Sequence, residues 1–297
     1  MSRAIRTPRH SVAERPFIVI WETTRACPLA CHHCRASAQP DRDPRELDAA
    51  DARALMLQIA EFGRPAPLFV ITGGDPFQRE DLNELISYGT SLGLRIAVSP
   101  SGTPTLTRAN LAAVRDAGAV ALSLSVDGSD AARHDAFRGV DGVFQWTIDA
   151  WRAARELGLK VQINTTLTRH SLDDLADIAA LVRREGAMLW SGFLLVPTGR
   201  GADLDALTPQ EVEDSLHFLY DCGSVIATKT TEAHHFRRVV LQRTLHDQCG
   251  TRPALGPLHR RLTARAAAPL RRAPPRRPQA AHGRVVGTRL RLRLPHG

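Results

Sequence analysis

Six short apolar runs, each followed by a loop and then by a segment of helical period, constrain the fold of this chain more than any other feature. The runs occupy 17–21, 68–72, 94–98, 120–126, 159–164 and 188–196, and all are rich in Val, Ile, Leu or Phe. Such runs read as strands buried in a sheet. Between and after them, helical patterns cover 45–62, 81–92, 107–117, 144–157, 172–185 and 209–220. Strands alternating with helices imply a parallel sheet in an α/β fold. Six units predict a partial (βα)6 barrel, TIM-like but not closed. In such barrels the loops that follow the strands carry the chemistry.

The loop after the first strand holds Cys27, Cys31 and Cys34 in the stretch Thr24-Arg25-Ala26-Cys27-Pro28-Leu29-Ala30-Cys31-His32-His33-Cys34. Thiolates are the usual ligands of iron–sulfur clusters, and three of them leave one iron of a cubane open to a small molecule. Zinc is the competing reading, with His32 or His33 as a fourth ligand. Buried or redox-active thiols are a third. A disulfide fits poorly, because the chain has five cysteines, an odd number, and no secretory signal precedes them.

Two further strand ends carry recognisable residues: Gly73-Gly74-Asp75-Pro76 after the second strand and Ser125-Val126-Asp127-Gly128 at the end of the fourth. With Cys-x3-Cys-x2-Cys after the first, the order of motifs resembles the radical S-adenosylmethionine enzymes over residues 15–245. The resemblance is nearest to a subgroup, often with a cysteine-rich SPASM extension, that handles haem precursors or peptides. It implies a [4Fe-4S] cluster on Cys27, Cys31 and Cys34, with S-adenosyl-L-methionine bound at the open iron. Reductive cleavage of the sulfonium would yield a 5′-deoxyadenosyl radical that abstracts hydrogen from a peptide or tetrapyrrole substrate. An electron donor such as ferredoxin or flavodoxin is implied with it.

The same resemblance assigns the remaining cofactor-binding positions. Gly73, Gly74 and Asp75 stand in the loop that meets the methionine ammonium, with Asp75 in place of the usual Glu, one methylene shorter but still negative. His33 stands where an aromatic residue meets adenine. Ser125 and Asp127 would reach the ribose or the carboxylate region from the upper rim of the barrel, and Ser123 shares their face because strand side chains alternate. Ser101 and Asn164, at the ends of the third and fifth strands, are further candidates, as is Arg200, a carboxylate contact in the loop after the sixth. The plain alternatives are an ordinary turn at Gly73-Gly74, small core residues at Ser123 and Ser125, and a solvated arginine at Arg200.

Charge divides the chain in two. The net charge of +8 looks basic, yet 12 of the 39 Lys and Arg residues are arginines at 249–297, where no Asp or Glu occurs. Residues 1–248 therefore carry 27 basic against all 31 acidic side chains. A nucleic-acid partner would rest on that tail alone, and the tail lacks lysine and stacking aromatics, which argues against it. Its Arg- and Pro-rich composition predicts disorder. The abrupt loss of acidic residues after Asp247 also resembles a shifted reading frame in GC-rich DNA.

The expected organisation is an N-terminal extension at 1–14, a core barrel at 15–222, a polar, histidine-rich segment at 223–248 and the tail at 249–297. Only Cys222 and Cys249 follow the three-cysteine motif, too few for a domain holding auxiliary clusters. No run approaches the roughly 20 apolar residues of a membrane helix, and free thiols with an oxygen-sensitive cluster fit a reducing cytoplasm. The leading function is that of a radical enzyme. The alternatives are a zinc- or RNA-binding protein without catalysis, and an inactive, truncated member of the same family.

Overall fold

Every expected strand forms, and the strands lie in the sheet in the order in which they occur in the chain. A computed structural model describes residue 11, residues 13–204 and residues 206–270. Its strands are β1 (Ile18–Glu22), β2 (Leu68–Thr72), β3 (Arg95–Val98), β4 (Ala119–Ser125), β5 (Lys160–Leu167), β6 (Leu189–Leu194) and β7 (Thr228–Thr231). All neighbouring pairs are parallel and the order is β1-β2-β3-β4-β5-β6-β7. The helices are α1 (Ala49–Ala60), α2 (Leu82–Ser91), α3 (Arg108–Asp116), α4 (Ala131–Arg138), α5 (Val143–Glu156), α6 (Arg169–Leu172), α7 (Leu175–Glu185), α8 (Pro209–Cys222), α9 (Phe236–Cys249) and α10 (Pro257–Ala266). The result is a curled half-barrel whose outer face is covered by helices.

Alternation within each strand decides which face a residue meets. Phe69 and Ile71, Ile96 and Val98, Leu122 and Leu124, Val161 and Ile163, and Trp190 are all buried against the helices. Met56, Leu85, Leu111 and Trp151 come down onto them from α1, α2, α3 and α5. The intervening residues line the inner face. Helix starts follow the sequence chemistry: Asp48, Thr107 and Thr208 each accept from a backbone N–H in the first turn, which satisfies donors that the helix itself leaves free.

Strand β7 goes beyond the six expected. Its sequence, Thr-Lys-Thr-Thr, is polar and half-exposed throughout, so it lacks the apolar signature of a buried strand. It pairs with β6 from Trp190↔Thr228 to Phe193↔Thr231, which carries the sheet past residue 222. Helix α9 follows it.

Helix α10 corrects the reading of the tail as disordered for residues 257–266. Leu258, Leu262 and Ala266 recur at four-residue spacing and are buried, while Arg261 and Arg265 pair with Asp173 and Asp177 on the other side. The buried Asp214 carboxylate of α8 accepts from the backbone N–H groups of Gly256, Leu258 and His259, at 2.9, 3.1 and 3.2 Å. Capping from a neighbouring helix is invisible to composition. The readings for 1–10 and 271–297 lie outside the described residues. No described helix is long and apolar enough to cross a membrane.

Replacing Asp214 by Ala should lower the unfolding free energy by about 2 kcal/mol, since it removes the whole cap. Leu262→Ala should cost about 2–5 kcal/mol through the cavity it leaves. Urea denaturation followed by circular dichroism checks both, and unchanged midpoints would show that α10 is not part of the cooperative core.

Candidate functional site

The three cysteines sit in the long connection between β1 and α1, and that connection is stitched to the loop after β2 by backbone hydrogen bonds. Thr23 N–H donates to Thr72 O at 2.8 Å, Gly74 N–H to Thr24 O at 2.7 Å and Asp75 N–H to Ala26 O at 2.7 Å. The approach is too close for side chains. A Cβ on Gly73, whose φ is +133°, would lie 2.3 Å from Thr24 O, and one on Gly74 would lie 2.3 Å from Ala26 O. The absence of Cβ at both positions therefore serves first to seat the cysteine loop. Glu46 fixes the same loop from its other end, accepting from Thr24 Oγ1 at 2.6 Å and Arg25 N–H at 2.9 Å.

Each sulfur has a donor directed at it. Leu29 N–H reaches Cys27 Sγ at 3.5 Å, Ala38 N–H reaches Cys34 Sγ at 3.4 Å, and Arg138 Nη1 reaches Cys31 Sγ at 3.7 Å. Cys27 Sγ also lies 3.3 Å from Ser101 Oγ, which places Ser101 at the cysteines. Cys27 and Cys31 are buried and Cys34 is half-buried. Burial pushes the Cys27 thiol up, while the contacts with Ser101 and Leu29 oppose that rise. Donors aimed at sulfur stabilise thiolate, the form that binds metal.

Behind Cys31 lies a buried ion pair that the sequence reading missed. Arg138, from the end of α4, pairs with Asp127 through Nη2, and Asp127 also accepts from Thr166 N–H at 2.7 Å. Burial alone would push the Asp127 carboxyl up, but the guanidinium overrides it and holds the group at about 2. Burial acts on Arg138 in the opposite sense to Asp127, and Asp127 with Cys31 keeps its pKa raised. Asp127 is fully engaged inside the protein, so it acts on the site through Arg138. The reading left 127–143 without a regular element, and a connection that long inside a compact domain is itself a functional signal.

Other expected residues divide in the same way. Asp75 is buried and turned into its own loop, accepting from Phe77 N–H at 3.2 Å, Thr103 Oγ1 at 3.2 Å and Ser101 N–H at 3.4 Å. Burial pushes its carboxyl up. Arg200 spans the far side of the cysteine loop, where its backbone N–H donates to Cys34 O, Nε to Cys31 O and Nη1 to Ala38 O, at 3.0, 2.9 and 3.0 Å. It is thus a clamp on the loop. The Cβ of any residue replacing Gly199 would lie 2.5 Å from Cys34 O. His33 stacks on Phe137 at 4.5 Å between ring centroids, and Phe137 stacks in turn on His170 at 4.7 Å. Burial lowers the His33 pKa to about 4. Ser125 and Asn164 are register partners on the inner face, and both are half-buried.

These residues fit an anionic cluster. Arg138 Nε, Arg200 Nη2 and His33 Nδ1 are buried with no hydrogen-bond partner, and two of the three belong to guanidinium groups. Buried polar atoms normally have partners. Unpaired guanidinium donors, one beside Cys31 and one along the backbone of the cysteine loop, suit a ligand that brings negative charge and acceptor atoms.

The sequence and the fold also match known proteins. The model of the Radical SAM superfamily matches residues 21–182. An AdoMet-dependent heme synthase of Oleidesulfovibrio alaskensis is 44% identical over 230 residues, covering 76% of this chain and 58% of that protein. Another, of Nitratidesulfovibrio vulgaris, is 40% identical over 240 residues, covering 80% of this chain and 65% of that protein. The chain thus spans about three fifths of the length of these relatives. Among solved structures, Streptococcus suis SuiB bound to S-adenosylmethionine superposes with a TM-score of 0.65 at 15% identity, covering 74% of this chain and 52% of that one.

Gly74→Ala should force the loops after β1 and β2 apart. The variant is expected to keep its far-UV circular dichroism yet lose most of its iron and sulfide after anaerobic reconstitution. Full retention of both would show that the close approach is dispensable.

Acid should weaken the fold through His134, whose Nδ1 accepts from Asp127 N–H at 3.1 Å and whose pKa burial lowers to about 4. The unfolded chain binds that proton first, near pH 6.5, so stability falls as pH drops from about 6.5 to about 4. His134→Asn keeps an acceptor but cannot titrate, and denaturation midpoints measured across this window should fall less steeply for it than for the wild type.

Proposed function

The chain belongs to the radical S-adenosylmethionine superfamily, and from that premise we propose that this enzyme acts on a tetrapyrrole by abstracting hydrogen from it. The observation that carries the reading is the set of three thiols, each met by a donor, with unpaired guanidinium nitrogens behind them. The choice of tetrapyrrole over peptide is supported by three relatives, each matched over at least 76% of this chain and each called an AdoMet-dependent heme synthase.

Cys27, Cys31 and Cys34 would hold the [4Fe-4S] cluster. When bound, the cluster and S-adenosyl-L-methionine supply one-electron reductive cleavage of a sulfonium and transfer of a hydrogen atom. The protein supplies position and field. Arg138 places fixed positive charge beside Cys31 in a buried setting, where electrostatic interactions are strong, and Asp127 keeps that guanidinium from turning away. Arg200 and Gly74 fix the two sides of the cysteine loop. Ser125 and Asn164, side by side on the inner face, offer hydroxyl and amide groups to the polar parts of the cofactor. His33, held flat against Phe137, presents a planar edge beside Cys34. A ferredoxin or flavodoxin would deliver the electron, in keeping with a cytoplasmic enzyme.

Anaerobic reconstitution with iron and sulfide, followed by dithionite and S-adenosyl-L-methionine, should yield 5′-deoxyadenosine. Single Cys27→Ala, Cys31→Ala and Cys34→Ala variants should each abolish it. A chain carrying an intact reduced cluster by electron paramagnetic resonance, yet forming no product, would sink the catalytic reading.

A further inference from the structure

The inner face of the half-barrel is chemically divided. Over β1 to β3 one row is apolar, with Ile20 aligned with Val70 and then Ala97, while the row beside it runs from Ile18 through Leu68 to the exposed Arg95. Ile18 and Ile20 are both exposed. From β4 to β7 a polar row crosses the sheet at one level, with Ser125 opposite Asn164, Asn164 opposite Ser191, and Ser191 opposite Lys229. At about 4.8 Å per strand, this row extends about 14 Å from Ser125.

Lys229 ends the row, and the neighbours on β7 fix the face it belongs to. Thr228 Oγ1 donates to Leu219 O of α8 at 3.1 Å, so Thr228 faces the helices. Thr231 Oγ1 lies 3.3 Å from Ser191 Oγ on the inner side, and Lys229 shares that side by alternation. Among the described residues no carboxylate is within ion-pair reach of Lys229, and burial pushes its ammonium down with nothing to oppose it. The chain has only two lysines, Lys160 and Lys229, among 39 basic residues. An ammonium is a compact charge on a flexible stem, suited to meeting one carboxylate at adjustable reach.

We propose that Lys229 receives a carboxylate of the substrate, a propionate of the tetrapyrrole, while the apolar half of the same face receives the body of the macrocycle. The assignment of that carboxylate to a tetrapyrrole rests on the function proposed above. A half-buried cation without a partner is costly, and a charge-assisted hydrogen bond to a ligand carboxylate compensates it.

The test combines binding with a direct view of the lysine. Coproporphyrin III, which bears propionates, and its fully methyl-esterified form are titrated into the full chain and followed by the Soret band. Lys229→Met should weaken binding of the free acid by about tenfold or more, Lys229→Arg should largely restore it, and the ester should bind wild type and Lys229→Met alike. In wild type labelled by reductive 13C-methylation, the Lys229 signal, identified by its loss in Lys229→Met, should move with the free acid. Equal binding of the free acid by wild type and Lys229→Met would overturn the proposal. So would a Lys229 signal that moves with S-adenosyl-L-methionine alone, since the carboxylate would then be the cofactor's. A wild-type chain that binds no porphyrin defeats the tetrapyrrole assignment, and millimolar succinate then decides the rest: movement of the Lys229 signal preserves carboxylate recognition by this lysine, and no movement removes it.

Discussion

The close passage of the loop after β2 against the cysteine loop is the contact on which the rest of the site depends. Two N–H donors, from Gly74 and Asp75, enter carbonyls of Thr24 and Ala26 at 2.7 Å, and this is possible only because Gly73 and Gly74 lack side chains. The contact fixes Cys27 relative to the sheet. It also orders the Asp75 turn, whose carboxylate gathers Phe77, Ser101 and Thr103, and so brings Ser101 to Cys27. Position passes from backbone to ligand through one chain of short hydrogen bonds.

The second organising force is electrostatic. Asp127 and Arg138 form a buried pair, which adds little net stability by itself because both charges lose their water. Its value is in placement: α4 delivers a guanidinium to Cys31, and the strand-end carboxylate fixes its orientation. Arg200 does a related task with neutral partners, taking up the carbonyls of Cys31, Cys34 and Ala38. One arginine acts on sulfur and the other on the backbone that carries it.

Much of this architecture was legible before any coordinates. Six of the seven strands announce themselves through β-branched and apolar runs, and the loops holding the cysteines, Gly73-Gly74 and Ser125 follow from their positions at strand ends. What escaped were features made by distant residues meeting. Arg138 and Asp127 are 11 positions apart and meet only because α4 folds back over the strand end. Arg200 reads as a solvated loop residue until its partners, more than 160 positions away, are in place. Strand β7 is too polar to be recognised alone, and α10 carries a narrow apolar stripe amid arginines whose capping partner, Asp214, is more than 40 positions away. Local chemistry was visible in the sequence; tertiary partnership was not.

Strand β7 has one more role that follows from its position. It is an outer edge of the parallel sheet, where unpaired backbone groups invite a strand from another molecule. Its four residues, Thr-Lys-Thr-Thr, are short, polar and interrupted by an inward-pointing charge. Those are the attributes by which natural sheets discourage intermolecular pairing. The lysine that ends the polar row therefore also adds to the edge's resistance to self-association, a resistance that the three threonines and the short length of the strand share.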